Sequence, residues 1–122
     1  MKATTFIILF ITFSTIGVFA RYKITGLHPS FWLTAFCNFI GCFAIGIFFK
    51  LKQSQMIEDK IYILAALVFL GALTTFSSYI LDVFKLFLEK NYLDIFTYIL
   101  ASHLICVTAC YIGYQMTARY IN

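Results

Sequence analysis

Four long runs without a single Lys, Arg, Asp or Glu divide this 122-residue chain: residues 3–20, 24–49, 61–81 and 95–118. A helix needs ~20 apolar residues to cross the hydrocarbon layer of a bilayer, and each run reaches or approaches that length. In lipid, every backbone N–H and C=O must be paired within the protein, which for runs of this kind means helices. With 62% of its residues hydrophobic and 11% charged, the chain lies outside soluble-domain composition. The sequence therefore predicts an all-α membrane protein, with residues 1–122 forming a single domain of four transmembrane helices. The short connections leave no room for a soluble module. Four such helices cannot enclose a wide aqueous pore, so any transport path is narrow, shared between subunits, or both.

The net charge of +4 is modest and sits in loops and ends, as suits a chain beside anionic lipid headgroups. It does not point to nucleic acid. With four spans, Lys2, Lys50, Lys52, Lys60 and Arg119 fall on one side of the membrane, and Arg21, Lys23, Lys85 and Lys90 on the other. Orientation follows the Lys/Arg imbalance, and here there is almost none. That predicts insertion both ways round, for which an antiparallel homodimer is the natural assembly. The first run has the look of a secretory signal, with Lys2 before it and Val18-Phe19-Ala20 at its end. The remaining spans give export little soluble sequence to deliver, so the run is kept as a spanning helix.

The third run is interrupted near its middle by Gly71-Ala72-Leu73-Thr74-Thr75-Phe76-Ser77-Ser78-Tyr79. Ser and Thr can bond backbone carbonyls and Gly loosens a turn, so this cluster predicts a break in the helix at membrane depth. Such a break exposes carbonyls suited to a cation and amides suited to an anion. Close helix packing through small residues is the other use of such a cluster.

Polar residues elsewhere at depth are few. Asn38 shares a helical face with Gly41 and Cys42, and it either bonds between helices or offers an amide N–H to a desolvated anion. Ser14, Gly17 and Arg21 share a face that ends in a charge, which either anchors at the interface or draws anions in. Tyr98, Ser102, Cys106 and Cys110 follow one another at four-residue steps. The four cysteines read as small apolar residues, although His103, Cys106 and Cys110 share a face that suits a soft metal. Residues 25–30, 50–60 and 89–94 read as loops, with Gly26 and Pro29 as breakers and Ser30 capping the second helix. Asp82 and Lys85 are spaced to pair at i,i+3.

Gly17-x3-Arg21-Tyr22, Asn38-Phe39-Ile40-Gly41-Cys42, Gly71-Ala72-Leu73-Thr74-Thr75-Phe76-Ser77 and Tyr98-x3-Ser102 together resemble the Fluc/CrcB family of fluoride channels. The resemblance runs almost the full chain. It implies a dual-topology homodimer in the cytoplasmic membrane, with two narrow fluoride pathways and a structural Na+ at the dimer centre. By this likeness the carbonyls of Gly71 and Thr74 hold the Na+, and Arg21 stands in the vestibule. Asn38, Phe76, Ser102 and Tyr98 line the fluoride pathway, with the hydroxyls of Thr75 and Ser77 as further donors. Tyr79 takes the place of the second pathway aromatic, usually Phe. Asp82 replaces a Glu, and Cys106 and Cys110 stand where hydroxyl residues are usual.

The chemistry implied is passive. Fluoride is strongly hydrated, so a pore must replace lost water with amide, hydroxyl and ring-edge donors weak enough to release it. No catalytic pair or phosphate loop stands out, so an enzyme is not expected. A small dual-topology multidrug exporter would need an acid in the first span, and residues 3–20 have none. A non-transporting assembly subunit accounts for the small residues but not for Asn38, Thr74, Thr75 and Ser102 at depth.

Overall fold

The computed structural model describes residues 2–26 and 30–121, and it is entirely helical. Helix α1 (Ala3–Gly26) leads by a short connection to α2 (Phe31–Gln53). The third span, Asp59–Leu88, is composite. It consists of α3 (Asp59–Tyr62), a π-helical stretch (Ile63–Leu70), α4 (Gly71–Leu73) and, after a break, α5 (Phe76–Leu88). Helix α6 (Tyr92–Ile121) closes the chain. All four spans are long and apolar enough to cross a membrane. At 1.5 Å per residue α6 is roughly 45 Å long, so it projects beyond a ~30 Å hydrocarbon layer. Large apolar side chains on every span face outward, among them Ile8, Phe39, Phe84 and Val107. A surface of that kind suits lipid or another subunit and not water.

The helices run further than the charged residues imply. Residues 50–60 were expected to form a loop, but α2 continues through Lys50 and Lys52 to Gln53, and α3 starts at Asp59. The two lysines are held on the structure by their surroundings. Lys50 Nζ stands 5.4 Å from the centre of the Tyr114 ring. Lys52 Nζ lies 4.8 Å from that of Tyr62 and 3.3 Å from Asp59 Oδ1. Cations also suit the negative end of a helix. The 89–94 segment shortens likewise, because α5 ends at Leu88 and α6 begins at Tyr92.

Both turns close in the same way, with a residue in the left-handed region: Gln55 (φ 55) and Lys90 (φ 57). Met56 N–H then donates to Leu51 O and Asn91 N–H to Leu86 O, each at 3.0 Å, the pattern of a Schellman closure. At the other end of α2, Ser30 is the cap, its Oγ accepting from Trp32 N–H at 3.3 Å. The first connection is also shorter than read, since α1 runs through Thr25 and Gly26. Pro29, expected as a breaker there, lies outside the described residues.

Packing rests on small residues at the crossings. Helices α2 and α6 run parallel and nearly touch. A Cβ at Gly46 would fall on the carbonyl oxygen of Cys110, and one at Gly113 on that of Phe43. Gly17, the buried residue of α1, sits against the Phe69 carbonyl and Ala72 of the third span. Between α5 and α6 lies a core of Tyr79, Leu86 and Tyr98, with Phe31, Ala35, Val83 and Ile95 around it. In the π-helical stretch the buried residues are Leu64, Ala66, Val68 and Leu70, so it is enclosed on more than one side by α1 and α2. Nothing in its apolar sequence marks it as π-helical.

Candidate functional site

The break in the third span falls at Thr74 and Thr75, three residues beyond Gly71. Both residues are extended, with ψ 156° at Thr74 and φ −151° at Thr75. Thr74 ends α4 by bonding back to Leu70 O through its N–H (2.9 Å) and its Oγ1 (3.0 Å). Thr75 starts α5 as an N-cap, its Oγ1 accepting from Ser78 N–H at 3.2 Å. The Thr75 hydroxyl also lies 3.2 Å from the Oγ of Ser77 and of Ser78. The hydroxyl cluster thus serves first to hold the break open.

Asn38 supplies from α2 what the broken helix lacks. Its Oδ1 accepts from Thr75 N–H at 2.9 Å, and its Nδ2 donates to Thr75 O at 3.4 Å. Because Thr75 N–H turns to Asn38, the carbonyl of Gly71, four residues earlier, loses its helical donor. The Thr74 carbonyl receives Arg21 Nη1 from α1 at 3.4 Å. Arg21 is therefore tied to the break and is not a free interfacial anchor. Gly41 lets the two elements meet, since a Cβ there would strike the Thr74 methyl.

An open groove of about 400 Å³ runs beside this break. It brings together Asn38, Gly71, Thr74, Thr75, Phe76, Tyr79 and Ser102. Cys42, His103 and Cys106 also line it, and of these His103 carried no signal as a lining residue. Phe76 stands at the rim, 72% exposed, while Tyr79 is 6% exposed and reaches into the core. Their ring centres are 5.9 Å apart, and Tyr79 also packs on Tyr98 at 5.2 Å and edge-on to His103 at 5.9 Å. Arg21, Ser77 and Tyr98 are not among the groove residues. Tyr98 is fully buried behind Tyr79.

Three side-chain oxygens are buried at and beside the groove wall. Asp82 Oδ2, Tyr98 OH and Ser102 Oγ are all buried without a hydrogen-bond partner among the described residues. Asp82 does not pair with Lys85 as its spacing implied. It turns inward, within electrostatic reach of Tyr98. Among the described residues no three His, Cys, Asp or Glu side chains are grouped to hold a metal, which removes the His103–Cys106–Cys110 face as a three-ligand site.

Comparison with known families bears on this arrangement. The model of the family described as "CrcB-like protein, Camphor Resistance (CrcB)" matches residues 8–114, which take in the break, Asn38, Arg21 and the whole groove. This chain belongs to the CrcB family. Curated CrcB relatives carry the name "Fluoride-specific ion channel FluC". One from Helicobacter pylori is 32% identical over 115 residues, covering 88% of each chain. Another, from Geobacter metallireducens, is 30% identical over 116 residues, covering 89% of this chain and 93% of the relative. No solved structure matches this CrcB chain. Four apolar spans and ion-channel relatives make it a multi-pass membrane protein.

Proposed function

We propose that this CrcB protein is a fluoride-selective channel that lets fluoride leave the cell passively across the cytoplasmic membrane. The observation that carries the reading is the Asn38–Thr75 clasp at a helix break opening on the groove. The clasp holds Asn38 Nδ2 in place while leaving its second N–H for an anion. Phe76, Tyr79 and Ser102 line the same groove, where ring edges and a hydroxyl would be further donors once an ion enters. Such donors replace water without binding too tightly, as conduction requires. A small four-helix multidrug exporter would carry its membrane-embedded acid in α1, and Ala3–Gly26 contains none.

The working unit is an antiparallel homodimer. Its support is the near-even Lys/Arg distribution and an open groove side where Leu67, Phe76 and Val107 stand exposed. A cysteine placed at Gln55 and labelled by an impermeant maleimide in intact cells should be reached from both faces. Labelling from one face alone would remove the dual topology.

The Gly71 and Thr74 carbonyls fit a Na+ in kind. They are hard oxygen donors at a helix break, one freed by the Asn38 clasp and the other with a lone pair to spare beside Arg21. A Na+ bound by both subunits would supply positive field beside the anion paths. Replacing Na+ by a bulky organic cation should then lower flux and weaken the dimer, and full activity without Na+ would exclude the site.

The channel reading is tested by fluoride efflux from liposomes holding the purified protein, with a potassium ionophore to carry countercharge and no pH gradient. Efflux that starts with the ionophore supports it. Efflux that needs a pH gradient would favour a coupled exporter, and none at all an assembly subunit.

A further inference from the structure

The parallel crossing of α2 and α6 sets their residues in step. Gly46 meets the Cys110 carbonyl, and one turn earlier on both helices Cys42 meets Cys106. Both thiols line the groove, both are only half-buried, and neither is in a disulfide. Cys110 lies near but one turn further on, and the three do not gather into a three-ligand group. What the fold presents is therefore a pair of sulfurs facing each other from two helices whose glycines fix their separation.

We infer that Cys42 and Cys106 form a two-coordinate site for a soft monovalent cation of the Cu+ or Ag+ class. Soft sulfur donors select such ions over hard ones, whereas a structural zinc would need four ligands. The exchange balances simply. The cation displaces one thiol proton to solvent, that thiolate neutralises it, and the second sulfur completes the pair through a lone pair. The occupied site stays neutral, which matters beside a low-dielectric wall where an uncompensated charge is costly. No electron transfer is involved. This inference goes beyond fluoride conduction and does not depend on it.

The test uses the whole protein, purified in detergent, reduced and then freed of reductant and chloride. Silver nitrate is added, followed by excess of a simple monothiol, which strips an ion held by one sulfur more readily than one held by two. Silver still bound is counted by native mass spectrometry, with size-exclusion profiles to confirm folding. The expected result is one silver ion per wild-type chain, lost in Cys42→Ser and in Cys106→Ser but kept in Cys37→Ser and Cys110→Ser. Retention by either of the first two variants, loss from the wild type, or equal loss in Cys110→Ser would overturn the paired site. Since nothing is transported in the assay, its failure and that of the channel reading are read separately.

Discussion

The carboxamide of Asn38 grips both polar groups of the Thr75 peptide, accepting from its N–H at 2.9 Å and donating to its carbonyl at 3.4 Å. A side chain on α2 thus replaces the hydrogen bonding that the third span gives up at its break. Asn38→Ala should leave the Thr75 N–H unpaired at a cost of about 1–3 kcal/mol. Asn38→Asp keeps the acceptor but loses the donor and adds a charge that repels anions. We expect Asn38→Asp to fold better than Asn38→Ala and both to lose fluoride flux. Thermal unfolding and liposome flux at matched protein content check this, and wild-type flux in either variant would make Asn38 a packing residue only.

Gly46 and Gly71 should respond to the same substitution in opposite ways. A Cβ at Gly46 lands on the Cys110 carbonyl, so Gly46→Ala should force α2 and α6 apart at a cost of about 1–3 kcal/mol. A Cβ at Gly71 meets nothing within 4 Å inside the subunit, so Gly71→Ala should leave the chain's own fold intact. If Gly71 faces a second copy, that variant should weaken association instead. Unfolding curves and cross-linking yields separate the two effects. A stable Gly46→Ala chain would show that the helices can move apart at little cost.

Tyr79 bridges groove and core. It is 6% exposed and packed at a tilt against Tyr98, so Tyr79→Ala should cost about 3–5 kcal/mol through the cavity it leaves. Tyr79→Phe keeps the ring and its edge, and should fold and conduct nearly as the wild type does. Marked loss of flux in a well-folded Tyr79→Phe would instead assign the donor role to the hydroxyl.

Arg21 reaches the Thr74 carbonyl across the first and third spans. Were it only a lure for anions, Arg21→Lys would preserve flux, with a dependence on salt that follows screening. The planar guanidinium makes a fixed contact that a lysine does not reproduce, so both Arg21→Lys and Arg21→Gln should lose flux. Full flux in Arg21→Lys at low ionic strength would reduce Arg21 to its charge.

Much of this was legible in the sequence. The charge-free runs located the four spans, and the crowding of hydroxyls around Thr74 and Thr75 located the break. The spacing of Asn38, Gly41 and Cys42 placed all three on the groove. What escaped depends on partners distant in sequence or on backbone choices without a residue signature. Arg21 and Thr74 are 53 positions apart. The turns at Gln55 and Lys90 adopt the left-handed conformation without the glycine that usually marks it. Asp82 read as a surface ion-pair partner because its inward turn depends on Tyr98 and α6 standing beside it.

The central claim is that the groove passes fluoride and refuses larger halides, and one measurement meets it directly. Liposomes bearing the wild-type protein are loaded in parallel with fluoride and with chloride, and passive efflux of each is followed under identical potential. Rapid fluoride efflux, with chloride no faster than from protein-free vesicles, is the predicted result. Equal efflux of the two ions, or none of either from well-folded protein, would contradict it.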